Sequence, residues 1–269
     1  RRASNKSSVI TPDNSTKYTY DMNSLMKLTA EQVYNKLLKE DNIMEEEGQI
    51  RFFLGNVDII VRQKDVVGNI IQEWLEGWLS KSDIAFDRNV NSQMPPDIFL
   101  DPEDHTRELL EVKAFNRDAS PGFDIADFKA YAREIVASPY MLHTKYLIFG
   151  YKMSDDGIVT IRGLWLKNVW EICRSMESWA LNVQYKNKVI HKIRPATWYS
   201  SNRRFPLFNS LEHYLSAIEE TLFGYPDTHA VATGWRRRMI AAYQDFYGIK
   251  LSIPRWEEIE DIYRPTADK

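Results

Sequence analysis

Asp97, Glu111 and Lys113 stand out in "PPDIFLDPEDHTRELLEVKAF", residues 95–115, because three ionisable groups sit on two short runs whose other residues favour burial. If "DIFL" and "ELLEVKAF" are strands and "DPEDHTR" reverses the chain between them, Asp97 opens one strand, and Glu111 and Lys113, two apart, share a face of the next. Carboxylates held a few ångströms apart repel each other, and proton sharing or a bridging cation relieves the repulsion. Oxygen ligands alone suit a hard ion, Mg²⁺ above all. Such an ion, held by Asp97, Glu111 and the main-chain carbonyl of Val112, would polarise a phosphate and lower the pKa of a water. Lys113 would orient that water, offset charge developing on the phosphate, or act as base after losing its own proton; the sequence leaves these roles open.

The spacing discriminates between copies of the motif. Pro-Asp recurs at Pro12-Asp13 and Pro226-Asp227, where no acid-x-Lys triplet follows at a similar distance, so those copies read as turns. A second triplet, Asp127-Phe128-Lys129, falls at a helical pattern, where positions two apart point to different faces.

Several elements must position the strand pair. Thr29 is the expected N-cap of a helix through "AEQVYNKLLKE", and "IRFFLGNVDIIVRQ" reads as a hairpin turning at Gly55-Asn56. "VGNIIQEWLEGWLSK" carries Ile70, Ile71, Trp74, Leu75, Trp78 and Leu79 at helical spacing. Beyond Glu111, a helix through "IADFKAYAREIV" with Asp124 or a neighbour as cap ends before Pro139. Strands "KYLIFGYKM" and "IVTIRGLWL" then flank an Asp-Asp-Gly turn. A Trp-rich helix, a basic stretch and helices "SLEHYLSAIEETLF" and "GWRRRMIAAYQDFY" complete the chain. Residues 1–24, rich in Ser, Thr and Asn, read as a flexible leader or arm. Residues 25–269 read as one α/β domain.

With 43% hydrophobic residues the chain can bury a large core, and no apolar run reaches membrane-spanning length, which points to a cytoplasmic address. The single cysteine, Cys173, rules out an internal disulfide and reads as core. Net charge is −3, yet no acid occurs between Glu177 and Glu212, a stretch holding Lys186, Lys188, Lys192, Arg194, Arg203 and Arg204. That asymmetry points to a polyanion partner. Within it Lys192, Arg194, Ser200, Asn202, Arg203 and Arg204 combine phosphate-binding charge with groups able to read base edges, and Arg236 and Arg237 extend the set.

Pro96-Asp97 followed by Glu111-Val112-Lys113 resembles the PD-(D/E)xK nuclease superfamily, and within it the type II restriction endonucleases, over about residues 70–165. The wording "LLEVKAF", "SPGFDIADFKAY" and "YLIFGY" looks like a narrower group, the NgoBV-type enzymes that read GGNNCC. The resemblance implies a restriction-endonuclease-like central mixed sheet flanked by helices, here with a helical C-terminal elaboration. A catalytic core over about 70–165 would be followed by DNA-recognition and helical parts over about 168–269. It implies Mg²⁺-dependent hydrolysis of double-stranded DNA with Asp97, Glu111 and Lys113 as the catalytic set. It also implies an auxiliary acid on the upstream helix, where Glu73 sits at the expected place and Glu76 competes. Cutting both strands of a palindrome calls for two centres, hence a homodimer. Two rivals remain: a structure-selective or repair nuclease, and a DNA-binding regulator that keeps the hairpin only for structure.

Overall fold

Thr29 caps the first helix in a computed structural model that describes residues 25–91 and 94–265; the leader expected at 1–24 lies outside the described residues. The Thr29 hydroxyl accepts the Gln32 N–H at 3.2 Å, and Gln32 Oε1 accepts the Thr29 N–H at 2.8 Å, so the start of α1 (Ala30–Asn35) has two of its donors satisfied. One wider turn, Lys36–Glu40, extends it. Strand β1 (Glu47–Gln49) leads into the expected hairpin, β2 (Arg51–Leu54) and β3 (Val57–Ile60), with Gly55 at φ 58 in its turn. Helix α2 (Val67–Lys81) spans the predicted apolar stripe, and Val67, Ile71, Leu75 and Leu79 are buried along it.

The strand pair that raised the chemical question exists. β4 (Asp87–Arg88) pairs with β5 (Ile98–Phe99), and β5 pairs antiparallel with β6 (Leu109–Asn116). After β7 (Ala126–Asp127) and α3 (Phe128–Ala137), the chain returns as β8 (Lys145–Met153), parallel to β6, then reverses into β9 (Ile158–Asn168). A parallel neighbour needs such a crossover, and α3 supplies it. The resulting sheet runs β1-β9-β8-β6-β5-β4.

Period-two alternation sorts the sheet into two faces. Leu110, Val112, Leu147 and Phe149 pack with Val33, Leu37, Ile71 and Leu75 of the N-terminal helices. On the other face Phe115, Tyr146 and Ile148 pack with α3, with α4 (Leu211–Gly224) and with α6 (Trp235–Tyr247), the last two separated by the single turn α5 (His229–Ala232); α7 (Trp256–Ile259) closes this layer. Glu111 and Lys113 belong to that second face.

One local expectation is corrected and two are made specific. The cap expected at Asp124 or a neighbour is Asp127, whose carboxylate accepts the Ala130 N–H at 3.0 Å, while Asp124 is held by Arg194. The Trp-rich helix is one 3₁₀ turn, Val169–Ile172, because Asn168 and Glu171 close a box around a single turn and Cys173 is already extended. The basic stretch contains strands, β10 (Val183–Lys186) and β11 (Val189–Ile193), forming a small sheet with β7.

Candidate active site

Asp97 stands one residue ahead of β5, where the β5–β6 ladder ends. Its N–H donates to the Leu110 carbonyl at 3.1 Å. The next donor on that side of β6, the Val112 N–H, has no strand beside it and donates to Asp97 Oδ2 at 2.8 Å. The carboxylate thus takes the position a further strand residue would fill. The N–H and C=O of one strand residue point to the same side, so the Val112 carbonyl is directed toward Asp97.

Glu111, one residue earlier on β6, is 4% exposed. Its Oε1 lies 2.6 Å from Lys113 Nζ, while Oε2 is buried with no hydrogen-bond partner. A buried carboxylate oxygen without a partner is costly. Burial pushes the Glu111 carboxyl up to about 7, with Lys113 opposing and Asp97 adding to the rise. Burial also raises Asp97, against the Val112 N–H and Lys113. For Lys113, burial lowers the pKa, but the carboxylates of Glu111 and Asp97 outweigh it, so the ammonium is held above its ordinary value. Without a bound cation the triad is therefore a strained acid pair held by one lysine.

The fit to a hard cation rests on this donor set: two carboxylates whose burial disfavours their charge, one with an oxygen left unbonded, and a carbonyl on the same side. Among the described residues no group of three or more His, Cys, Asp or Glu forms a complete metal cage, so the protein's share would be these two carboxylates and the carbonyl, with water and substrate supplying the rest.

Asp97, Val112 and Lys113 open onto a cleft of about 650 Å³ lined also by Lys64, Asp65, Gln72 and Asn116 among others. Lys64, Asp65 and Gln72 escaped the sequence reading. They come from the 3₁₀ turn Lys64–Val66 and the first turns of α2, which carry no motif.

Glu73 does not join this cleft: it is exposed, on the side of α2 opposite the buried stripe. Glu76 is 4% exposed, forms an ion pair with Arg88 and lies 3.4 Å from Gln72 Nε2. Of the two candidates for the auxiliary acid, Glu73 thus lies away from the cleft, and Glu76 lies beside Gln72, a cleft residue.

The residues expected to contact DNA divide. Lys192 lies 3.8 Å from Asp127, and Arg194 pairs with Asp124 and donates to the Gly122 carbonyl at 3.0 Å, at the rim of the cleft. Arg203 donates to the Trp198 and Ser200 carbonyls and so shapes its own loop, in which Ser200 Oγ accepts the exposed Asn202 N–H at 3.2 Å. Arg204 pairs with Glu177, and Arg236 with Glu219 of α4. Arg237 is exposed on α6, and no residue of α4 or α6 lines the cleft. Three bases of the acid-free stretch, Lys192, Arg194 and Arg204, are thus paired with acids from outside it.

The fold is that of a restriction endonuclease. The solved NlaIV restriction endonuclease matches with a TM-score of 0.87 at 60% identity, covering 89% of this chain and 98% of that one. In sequence, the type II restriction enzyme NlaIV of Neisseria lactamica is 60% identical over 241 residues, 89% of this chain and 99% of that protein. The type II restriction enzyme NgoBV of Neisseria gonorrhoeae is 61% identical over 162 residues, 60% of this chain and 92% of that protein. The model of the NgoBV restriction endonuclease family matches residues 27–263, and the chain belongs to that family. The resemblance drawn from "LLEVKAF" and its neighbours is borne out. Enzymes of this class use a divalent metal ion. Among the described residues no helix is long and apolar enough to cross a membrane.

Proposed function

We propose that this chain is a Mg²⁺-dependent type II restriction endonuclease that hydrolyses both strands of a specific DNA site by in-line attack of water. The observation that carries the reading is the buried Glu111, bonded to Lys113 through one oxygen and left with the other unbonded, beside Asp97 at a cleft. Asp97, Glu111 and the Val112 carbonyl would hold the ion. When bound, Mg²⁺ supplies charge to polarise the phosphate and acidify a water. Lys113, kept protonated by its two carboxylates in the free site, offsets charge on the phosphate and orients the nucleophile through its N–H donors. A cation held by the two carboxylates would weaken their hold on the Lys113 proton, so that Lys113 could then give or take a proton. Glu76, through Gln72, supports the same cleft.

The working unit in this reading is a homodimer. Support comes from the β2–β3 hairpin, whose register puts Phe52, Leu54, Val57 and Ile59 on one face, all four exposed and Leu54 at 71%. An exposed apolar face of that kind is what a second copy would cover.

Incubation with plasmid carrying mapped GGNNCC sites, with Mg²⁺ or with EDTA, tests the proposal. Discrete fragments in Mg²⁺ alone are expected, and Lys113→Ala should retain duplex binding while losing about 10²–10⁴-fold in cleavage. Cuts confined to junctions or mismatches, or intact DNA with specific retardation, would replace the reading with one of its rivals.

A further inference from the structure

The row of the sheet after Lys113 carries an assembly to which no role has been assigned. Phe115 of β6 and Gly163 of β9 both stand opposite Gly150 of β8. The two adjacent glycines leave a bare floor. A Cβ on Gly163 would lie 2.1 Å from the Trp165 ring, and one on Gly150 would lie 2.5 Å from Arg117 Cδ and 2.9 Å from Trp165. Trp165 covers this floor and stacks on Phe115 and Tyr199, with centroid separations of 6.0 and 5.5 Å and interplanar angles of 24° and 25°. Phe115 and Tyr199 stack on each other at 5.5 Å and 17°.

Arg117 lies against this cluster. Its guanidinium carbon is 4.1 Å from the Tyr199 centroid, 5.4 Å from Trp165 and 5.8 Å from Phe115. The main chain is fixed too, the Arg117 N–H donating to the Tyr151 carbonyl at 2.8 Å. No carboxylate among the described residues pairs with it, whereas Arg88, Arg194, Arg204 and Arg236 each have one. Ring faces satisfy the cation without consuming its N–H donors, so a planar fork is held in place with its hydrogen-bonding capacity unused. The site faces the right region: Asn116 and Ala119, on either side in sequence, line the cleft with Asp97 and Lys113. Arg117 follows the last residue of β6 and is four steps along the chain from Lys113, about 13 Å.

We infer that Arg117, held by Tyr199, Trp165 and Phe115, is a DNA-positioning residue that binds a backbone phosphate near the one that is cut. The inference rests on the reading of this chain as a DNA-cleaving enzyme. Its test measures duplex binding in EDTA across a series of salt concentrations, with plasmid cleavage in Mg²⁺ and thermal unfolding alongside, for wild type, Arg117→Ala, Arg117→Gln and Arg117→Lys. Loss of one phosphate contact should weaken binding by Arg117→Ala about tenfold and reduce the salt slope by about 1, while Arg117→Lys keeps the slope. If Arg117→Ala does not fold, Arg117→Gln, which retains length and stacking contact, reports the same change in slope. Wild-type affinity and slope in the folded variant would overturn the inference. An unchanged slope with relaxed choice of cutting site would overturn it in favour of a base contact. Wild type that cuts DNA as proposed beside an Arg117→Ala protein that cuts equally well defeats this inference alone, whereas wild type that neither binds nor cuts duplex defeats the nuclease reading as well.

Discussion

Replacing Glu111 by Gln should flatten the pH dependence of folding stability when no divalent ion is present. Glu111 is buried and its carboxyl is pushed up to about 7 from an ordinary 4.5. The folded chain therefore binds this proton more tightly than the unfolded chain does. Between pH 4.5 and about 7 the native state holds more protons, so its stability falls as pH rises and levels off above that window. At about 1.4 kcal/mol per pH unit the loss amounts to about 3 kcal/mol. For a chain of this size that corresponds to roughly 6–12 °C in melting temperature. Calorimetric melts of wild type and Glu111→Gln in EDTA, across the window, measure it. The comparison uses slopes, because the substitution also removes the partner of Lys113 and displaces both curves by a constant. Adding Mg²⁺ at a hundredfold excess over its Kd should return about 2.7 kcal/mol to wild type at alkaline pH, and nothing to the variant. Parallel curves in EDTA would refute the claim that the site holds a carboxylate under strain.

Glu73→Gln should cleave DNA at nearly the wild-type rate, because its side chain is exposed away from the cleft, whereas Glu76→Gln removes the buried charge beside Gln72 of the cleft and should slow cleavage by about tenfold or more, read as single-turnover rates. Gly163→Ala would drive a methyl group to 2.1 Å from Trp165, and should cost about 1–3 kcal/mol or more in urea unfolding; an unperturbed midpoint would show that the aromatic cluster yields freely. Phe52→Asp combined with Leu54→Asp, on one face of the hairpin, should convert a dimer to a monomer in sedimentation and turn double-strand cuts into nicks; an unchanged mass would move the subunit contact elsewhere.

Long periodic segments were legible. The apolar stripe of α2 and the apolar runs of β6, β8 and β9, bounded by turn residues, define themselves by burial, and each is found where its pattern predicts. The strand pair with Asp97, Glu111 and Lys113 was legible for the same reason, since charged residues inside buried strands stand out from their neighbours. What escaped depends on residues brought together from separate parts of the chain. The β10–β11 turn is made by Asn187 and Lys188 at φ 54 and 64, a left-handed pair for which lysine is a poor signal beside glycine. Glu73 and Glu76 were separable in principle. At about 100° per residue Glu73 lies about 180° from the centre of the Val67–Ile71–Leu75–Leu79 stripe and Glu76 about 120°, so Glu76 was the one at the edge of the buried face. The Arg117 cluster needs two glycines from different strands and a tyrosine from a distant loop, and no local pattern encodes that meeting.

Asp97, Glu111 and the Val112 carbonyl should together take a divalent cation. Anomalous diffraction from crystals soaked in Mn²⁺, which substitutes for Mg²⁺ at oxygen sites, tests it most directly. A strong peak bridging the two carboxylates, lost in Asp97→Asn, is the predicted result. A clean map at that position with Glu111 still bonded to Lys113, or a peak only at Glu76, would contradict it.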